Sequence, residues 1–385
     1  MSRKVIYIGH AHLSEKMERD WYINYLRARN VSVEYWDVLP LLFGEIDEPG
    51  AINANYLYVP KTYDAIEAML CHPENIDAYF VMLVNYAGST VKLYRLLGKH
   101  HVRMIYILWA AFPGERSGRA QQVLHGLISN PLTLVKKAFN AIKARIYKNL
   151  KFIQPFEIVF AAGQVLMRSE QHSAKMVPIN FCDYDQYMRV MSEGGGRLVN
   201  ERYAVFLDVY LTNQSDLVIF GLKAINPSEY LQSLNHFFEL LELKYGVKVV
   251  VAAHPKANYN PETFNGRDIF CGVTPELVRD AEFVISHHSA SVSYAVLNRK
   301  PIIFVYTEEM NILYGHTPII VVIQSMADFL GAPIYNTNEI TECDQISIGD
   351  VDSIRYEKFK YDYLTTHESE HTTTQEIFWR EISAR

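Results

Sequence analysis

The chain has 385 residues, a length that is typical of two domains rather than of one hydrophobic core. Its content of 49% hydrophobic and 21% charged residues indicates a folded globular protein and excludes a disordered one. The net charge of −6 is unevenly spread, because the block from Arg116 to Lys151 contains eight Lys and Arg residues and no Asp or Glu.

Cysteine spacing and hydropathy limit the class of protein further. The four cysteines are far apart and include no C-x-x-C pair, so the sequence predicts neither a zinc site nor a disulfide framework. The amino terminus enters a strand without a signal-peptide segment, and no apolar run reaches the roughly 18 residues that a membrane span needs. A cytoplasmic location is therefore expected.

Strands alternate with helices through the first half of the chain. The predicted strands cover 4–8, 31–36, 78–84, 101–108, 156–161 and 175–180, with helices at 15–29 and before residue 99. This alternation predicts β-α-β units and a parallel sheet.

Three consecutive glycines within 192–200 mark the predicted domain boundary. Beyond them, predicted strands cover 203–207, 247–253, 268–271, 283–286 and 301–306, separated by helices at 227–245, 275–280 and 291–298. The sequence thus predicts an α/β protein with Rossmann-like domains at 1–195 and 201–370. A terminal helix is expected within 371–385.

Two apolar strands of the second half run directly into polar clusters. The candidates are His254, Pro255 and Lys256 after the first strand and His287, His288, Ser289 and Ser291 after the second. Ligands bind at the carboxyl edge of such sheets, and imidazole, ammonium and hydroxyl groups donate hydrogen bonds to phosphate. The alternative is a capped strand end and a capping serine. Adjacent histidines rarely converge on one metal ion.

The same clusters carry a resemblance to a known family. The His254-Pro255 pair and the Ser/His cluster about 30 residues later resemble the HP and Ser-rich motifs of bacterial GT-B sialyltransferases and related capsule and lipopolysaccharide transferases. Residues 280–304 are similar to the donor-site segment of polyglycerolphosphate and capsular polysaccharide transferases. The likeness covers roughly residues 203–306. It implies two Rossmann-like domains that face a cleft (GT-B), the second of which binds a nucleotide-sugar.

The resemblance also implies roles for particular residues. The loop with Thr274 and Glu276 would contact the base or ribose of the donor, although a plain helix start with Pro275 explains it equally well. The polar groups after the two strands would stabilise the departing phosphate, so no metal or other cofactor is expected beyond the donor.

An inverting transferase needs a general base for the acceptor hydroxyl. The sialyltransferases use an Asp in an acidic-acidic-Gly motif, which this sequence lacks. The candidate bases are His10, His12, Glu15 and Asp208. A D-x-D triplet at Asp183 and Asp185 offers a minor alternative in which carboxylates hold a metal on a diphosphate.

A basic amphipathic helix is predicted around residues 135–151, with apolar residues at helical spacing. Its basic residues are Lys136, Lys137, Lys143, Arg145, Lys148 and Lys151. Such a helix can pack on the sheet, lie on an anionic membrane or bind a polyanionic acceptor. A lipid-linked acceptor on the inner membrane favours peripheral membrane contact, and the absence of a nucleic-acid motif disfavours nucleic acid.

The sequence-based hypothesis is a glycosyltransferase of bacterial capsule or lipopolysaccharide synthesis. The donor would be a CMP-activated nonulosonic acid or another nucleotide-sugar such as a UDP-sugar, and the acceptor a saccharide or a lipid-linked molecule. The sequence lacks G-x-x-x-x-G-K-[ST] and a G-x-G-x-x-G after the first strand, which disfavours ATPases and NAD oxidoreductases. The rival hypotheses are a UDP-sugar 2-epimerase and a non-catalytic polysaccharide-assembly protein.

Overall fold

The computed structural model describes residues 4–44, 51–114, 131–150, 152–169, 173–213, 222–315 and 317–384, with the backbone alone for 131–138 and 318. The chain divides into two compact units. The first comprises Met1–Trp109, Gly126–Cys182 and Thr365–Arg385, and the second comprises Ala110–His125 and Asp183–Leu364.

Each unit is built on one parallel sheet. The strands of the first unit are β1 Val5–Gly9, β2 Val33–Asp37, β3 Leu57–Tyr58, β4 Tyr79–Met82, β5 Arg103–Leu108, β6 Phe156–Ala162 and β7 Ser173–Ile179. Those of the second are β8 Tyr203–Leu207, β9 Lys248–Ala253, β10 Ile269–Cys271, β11 Val284–Ser286, β12 Ile302–Tyr306 and β13 Ile334–Asn336. The central strands β1 and β8 are entirely buried, as apolar runs between two helix layers should be.

Helices connect the strands of both sheets. In chain order they are α1 Glu15–Asp20, α2 Ile23–Arg27, α3 Leu39–Phe43, α4 Tyr63–Leu70, α5 Val91–Lys99, α6 Pro131–Asn149, α7 Gly163–Met167, α8 Cys182–Glu193, α9 Pro227–Tyr245, α10 Thr274–Asp280, α11 Val292–Leu297, α12 Glu308–Tyr314, α13 Pro318–Leu330, α14 Ser353–Phe359 and α15 Thr374–Ser383. Within the described ranges, no single helix has both the length and the apolar composition needed to cross a bilayer.

The strand orders are those of Rossmann-like domains. The first sheet runs β3-β2-β1-β4-β5-β6-β7 and the second runs β10-β9-β8-β11-β12-β13. In each sheet the chain starts at a central strand, builds outward to one edge and then crosses back to build the other. The prediction of two parallel α/β domains is confirmed, and β3 and β13 are strands that the sequence pattern did not indicate.

The unit boundaries differ from the predicted ranges 1–195 and 201–370. The longer part of the second unit begins at Asp183, before the glycine segment, and the hydroxyl of Ser293 in that unit donates a hydrogen bond to the Asp183 carboxylate. The carbonyls of Gly195 and Gly196 accept hydrogen bonds from Arg279 of the same unit, at 3.5 and 3.3 Å. The glycine segment therefore lies against the second unit instead of joining the two.

The carboxyl-terminal segment, from Thr365 onward, returns to the first unit. The fully buried side chain of Asn180 binds this segment through both its amide and its carbonyl group. Its amide donates to the Thr372 carbonyl at 2.8 Å, and its carbonyl accepts from the Thr365 hydroxyl at 2.7 Å. The Phe378 ring of α15 then packs against Phe160 of β6, with 5.1 Å between ring centroids.

Replacing Asn180 by Ala should lower the free energy of unfolding by about 2 kcal/mol, because the buried Thr365 hydroxyl loses its acceptor and the Thr372 carbonyl loses its donor. Urea denaturation measures the change. The matched control is Asn24→Ala on the exposed face of α2, which should change stability by less than about 0.5 kcal/mol. Equal effects of the two substitutions would contradict the assigned role of Asn180.

Candidate functional site

Three predicted site residues follow neighbouring strands at the carboxyl edge of the second sheet. Asp208 follows β8, His254 follows β9 and His287 follows β11. Since β8 lies between β9 and β11, the chain turns in opposite directions from this point, and ligands of open α/β sheets bind at such switch points. These three residues therefore lie at the edge of the sheet where a ligand of this fold is expected.

Asp208 anchors the loops at this edge. One carboxylate oxygen accepts from the Tyr210 N–H at 2.9 Å, and the other accepts from the His254 N–H at 3.1 Å and the Tyr259 hydroxyl at 3.0 Å. Burial raises the pKa of Asp208, and these hydrogen bonds oppose the rise. Both oxygens serve loop geometry, so the structure gives Asp208 a positioning role instead of the predicted role of general base.

The turn after β9 fixes the tautomer of His254. The Lys256 N–H donates to the His254 Nδ1 at 3.1 Å, so a neutral ring carries its hydrogen on Nε2. His254 is half-buried and lies nearly parallel to the Tyr210 ring, with 6.3 Å between centroids, while Pro255 and Lys256 are exposed. β9 ends at Ala253, directly before this turn. The arrangement can present an imidazole N–H and an ammonium group to an anion.

His287 does not belong to a ligand site, and that prediction is wrong. The residue is fully buried, its Nδ1 lies 2.6 Å from the Val305 carbonyl, and the Tyr230 hydroxyl lies 2.9 Å from its Nε2. Both ring nitrogens are therefore used within the core. Burial lowers the pKa of His287 to about 3, so the ring is neutral at pH 7.

Two buried polar atoms beside His287 lack a protein partner in the described residues. They are Ser286 Oγ and His288 Nδ1. His288 is half-buried, and burial of its ring lowers the pKa to about 4. An unpaired buried hydroxyl and imidazole nitrogen are costly unless a ligand or water pairs with them. Ser286 was not among the predicted site residues.

The serines beyond His288 form the turn into α11. The Ser289 hydroxyl accepts from the Ser291 N–H at 3.3 Å, and α11 begins at Val292. Ser291 occupies the N-cap position, but its side chain makes no capping hydrogen bond. A helix start is confirmed here, with Ser289 rather than Ser291 organising the turn.

The Thr274 and Glu276 loop forms the first turn of α10, with Pro275 close to the helix start as predicted. Glu276 Oε2 is buried and has no hydrogen-bond partner among the described residues. This orphaned carboxylate oxygen can accept a hydrogen bond from a ribose hydroxyl, which is the role that the resemblance implies.

A His–Asp pair occupies the corresponding edge of the first sheet. His12 Nδ1 lies 2.6 Å from a carboxylate oxygen of Asp37, the last residue of β2. The other Asp37 oxygen accepts from the Leu39 N–H at 2.9 Å. Asp37 is 1% exposed and the His12 side chain 25% exposed. A buried carboxylate thus holds the Nδ1–H tautomer of a ring whose edge reaches solvent.

Neighbouring residues fix the loop that carries His12. Gly9 lies where any Cβ would come within 2.0 Å of the Tyr35 hydroxyl. That hydroxyl donates to the Ala11 carbonyl at 2.7 Å. Tyr35 is fully buried, so glycine at position 9 allows the ring to cross beneath the loop and hold its backbone.

The other base candidates of the first domain have ordinary structural roles. His10 is exposed and its ring lies 6.0 Å from that of Phe43. Glu15 is exposed in the first turn of α1, where a carboxylate is favoured by the helix dipole. Of these three candidates, His12 is the one that pairs with a buried carboxylate, that of Asp37.

The D-x-D triplet does not form a carboxylate pair. Asp183 and Asp185 lie in α8, where residues two apart point about 160° away from each other. Within the described part of the chain, no group of three or more His, Cys, Asp or Glu side chains has a metal-binding arrangement.

The predicted basic patch is only partly within the described residues. Lys143 is half-buried, and Arg145 and Lys148 are exposed on α6. The side chains of Lys136 and Lys137, and all of Lys151, lie outside the described residues.

Comparison with known proteins identifies relatives in fold. No family model matches the chain, and a search of curated proteins finds no match. The wall teichoic acid polymerase TagF superposes with a TM-score of 0.51 and 11% identity, over 100% of this chain and 90% of that chain. A UDP-GlcNAc 2-epimerase from Methanocaldococcus jannaschii matches over 100% of both chains, with a TM-score of 0.48 and 12% identity.

The glycosyltransferase SnogD from Streptomyces nogalater also matches, with a TM-score of 0.49 and 11% identity, over 100% of this chain and 99% of that chain. At such identities the likeness concerns the fold. Together with the two Rossmann-like sheets, the likeness to TagF shows that this chain has the GT-B fold.

Proposed function

We propose that this protein is a glycosyltransferase that moves a sugar from a nucleotide-sugar to a hydroxyl of a saccharide or lipid-linked acceptor. The observation that carries the proposal is the His12–Asp37 pair at the carboxyl edge of the first sheet. A histidine that is hydrogen-bonded to a buried carboxylate can act as a general base. In a protein with the GT-B fold, the reaction that such a base would support is sugar transfer.

The proposed reaction is a single displacement at the anomeric carbon. His12 takes the proton of the acceptor hydroxyl on Nε2, the acceptor oxygen bonds to the anomeric carbon, and the bond to the donor phosphate breaks with its electron pair on the phosphate oxygen. Asp37 stabilises the imidazolium that forms, because its buried carboxylate accepts from Nδ1–H. Such a displacement inverts the anomeric configuration.

Residues of the second domain would stabilise the negative charge that develops on the leaving phosphate. His254 and Ser286 can donate hydrogen bonds, and Lys256 supplies a positive charge. Glu276 would accept from the ribose. Protein donors in these positions support departure of the nucleotide without a metal ion. Donors preorganised at a charged leaving group are each worth about 10²–10³ in rate.

The donor favoured by the motif resemblance is a CMP-activated nonulosonic acid, and a nucleotide-diphosphate sugar is the other candidate. Thermal shift with CMP, CDP, UMP, UDP, GDP and TDP, with and without magnesium, separates them, because a ligand of the native state raises its stability. Stabilisation by CMP alone supports the first donor, and UDP preference the second. No shift with any nucleotide would overturn the nucleotide site.

Replacing His254 by Ala should weaken nucleotide binding about 10- to 100-fold, because a hydrogen bond to a charged phosphate contributes about 1.5–3 kcal/mol. Titration calorimetry with the preferred nucleotide measures the change. The control is His236→Ala, an exposed histidine on α9 outside this edge, which should bind as the unmodified protein does. Unchanged affinity in the His254 variant would remove this residue from the site.

The acceptor experiment distinguishes transfer from the rival activities. A transferase consumes nucleotide-sugar in proportion to acceptor, whereas a 2-epimerase converts the sugar without one and a binding protein converts nothing. The proposed setting is capsule or lipopolysaccharide synthesis on the cytoplasmic side of the inner membrane. Sugar transfer to membrane extracts from a capsulated bacterium tests that setting directly.

A further inference from the structure

The segment from Phe139 to Phe152 concentrates exposed apolar side chains. Of the 14 large apolar residues exposed in the described part of the chain, five lie here. They are Phe139, Ile142, Ile146, Leu150 and Phe152, which are 49% to 65% exposed. Scattered single residues of this kind are normal on protein surfaces, but a contiguous group indicates a binding surface.

Four of these residues form one stripe along α6, continued one residue past its end. Phe139, Ile142, Ile146 and Leu150 fall within about 80° of the helix circumference, since successive residues are about 100° apart. We call this set the α6 stripe. An apolar stripe of this width normally faces a protein core. Here it is exposed to solvent.

A different side of α6 attaches the helix to the first domain. The Tyr86 hydroxyl donates to the Ala144 carbonyl at 2.7 Å. Gly88 lies so close to the helix that a Cβ would be 2.4 Å from the Asn140 carbonyl oxygen. Asn140 and Ala144 are about 110° to 160° around the helix from the centre of the α6 stripe. The helix is thus held on the first domain by its opposite side, while the α6 stripe remains exposed to solvent.

Positive charges border the stripe. Lys143 lies on one side of it and Arg145 on the other. Arg95 adds a third charge beside Phe152, with its guanidinium 5.9 Å from the ring centroid. No Asp or Glu occurs between residues 116 and 151 to offset them. The surface therefore complements a partner that is both apolar and negatively charged.

We propose that the α6 stripe and its flanking cations dock the first domain on an anionic lipid bilayer. The apolar side chains enter the boundary between head groups and acyl chains, and Lys143 and Arg145 contact lipid phosphates. A soluble polyanion offers no apolar phase to cover Phe139 and Ile146. A second copy of the chain would bring like charges together. The inference does not rest on transferase activity.

Vesicle co-sedimentation of the full chain tests the proposal. We expect binding to phosphatidylcholine vesicles with about one third phosphatidylglycerol, weak binding to pure phosphatidylcholine, and loss of binding as salt approaches about 0.5 M. The double variant Lys143→Ser/Arg145→Ser should bind about 25-fold more weakly, at about five-fold per charge. The double variant Ile142→Ser/Ile146→Ser should lose at least about 10-fold in vesicle affinity for each residue replaced.

The matched control removes exposed apolar area elsewhere. Leu243→Ser/Ile354→Ser changes two residues that are 74% and 83% exposed, and it should bind vesicles as the unmodified protein does. A Phe139→Trp variant gives a second measurement that keeps the stripe apolar. Its fluorescence should be quenched by brominated acyl chains in anionic vesicles.

Several results would overturn the proposal. These are equal binding to neutral and anionic vesicles, an unaffected stripe variant, or no quenching of the Trp at position 139. Binding to heparin or polyphosphate but not to vesicles would assign the surface to a polyanion. A dimer in light scattering that the stripe variant dissolves, without vesicle binding, would assign it to a second copy. The nucleotide thermal shift is independent of all these outcomes.

Discussion

Replacing His12 by Ala should lower kcat for sugar transfer by about 10³-fold and leave nucleotide affinity unchanged. A positioned general base contributes roughly 10²–10⁴ to a rate, and no other described group at this edge of the first sheet pairs with a buried carboxylate in the same way. Initial-rate kinetics with saturating donor measure kcat, and calorimetry measures nucleotide affinity. The control is His72→Gln, an exposed histidine after α4, which should keep full activity.

The Asp37→Asn variant tests the pair more sharply than removal of the ring. The Leu39 N–H holds one side-chain oxygen of residue 37, so an Asn there would turn its NH₂ group toward His12 Nδ1. That NH₂ donates, which forces the ring hydrogen onto Nε2 and removes the lone pair that a base needs. We expect a loss of about 10²–10⁴-fold in kcat with the fold intact.

The two variants also distinguish a base from a structural histidine. If His12 serves only to hold its loop, His12→Ala should lower thermal stability and KM should rise while kcat stays within a few-fold of the original value. Retained kcat in both variants would exclude the proposed mechanism. If kcat falls in His12→Ala but not in Asp37→Asn, His12 is the general base and Asp37 is not needed for its action.

The sequence predicted the sheets well because buried parallel strands are continuous apolar runs. The runs 203–207 and 247–253 became β8 and β9 almost unchanged, since strands covered on both faces leave little ambiguity. The polar residues that follow them then had to lie at one edge. His254 was therefore correctly placed from chain order alone.

Side-chain contacts between distant segments could not be predicted in this way. Asp37 ends β2 and is 25 residues from His12, and only the parallel pairing of Gly9 with Asp37 brings the two together. Similarly, Asn180 meets Thr365 and Thr372 across more than 180 residues. No local pattern marks either contact, which explains why the sequence missed the partner of the base and the return of the carboxyl terminus.

His287 and His288 show the limit of motif reasoning within one cluster. Adjacent residues after a strand point in different directions, so His287 is fully buried with both ring nitrogens bonded, whereas His288 is half-buried. The sequence treated the two histidines alike because both follow the same apolar run. The partner of His287, Tyr230, is 57 residues away on α9 and gave no signal in the pattern.

Acid should destabilise the protein through buried His287. The unfolded chain binds a proton at this ring near pH 6.5, whereas burial lowers the pKa in the folded state to about 3. Between these values the unfolded state binds more protons, so the free energy of unfolding falls as the pH drops below about 6.5. The fall is about 1.4 kcal/mol per pH unit and ends near the folded pKa. Above that window this ring contributes no pH dependence.

Urea denaturation at several pH values between 7 and about 5 measures this slope, and His287→Gln isolates its source. An amide can donate to the Val305 carbonyl and accept from the Tyr230 hydroxyl, but it binds no proton in this range. The variant should therefore lose about 1.4 kcal/mol per pH unit of the slope, whatever its stability at pH 7. The control His236→Gln, exposed on the same helix as Tyr230, should keep the original slope. An unchanged slope in His287→Gln would show that acid acts elsewhere. A loss of the slope would assign it to His287, where a proton on Nε2 makes that nitrogen a donor to the Tyr230 hydroxyl and places a charge in the core.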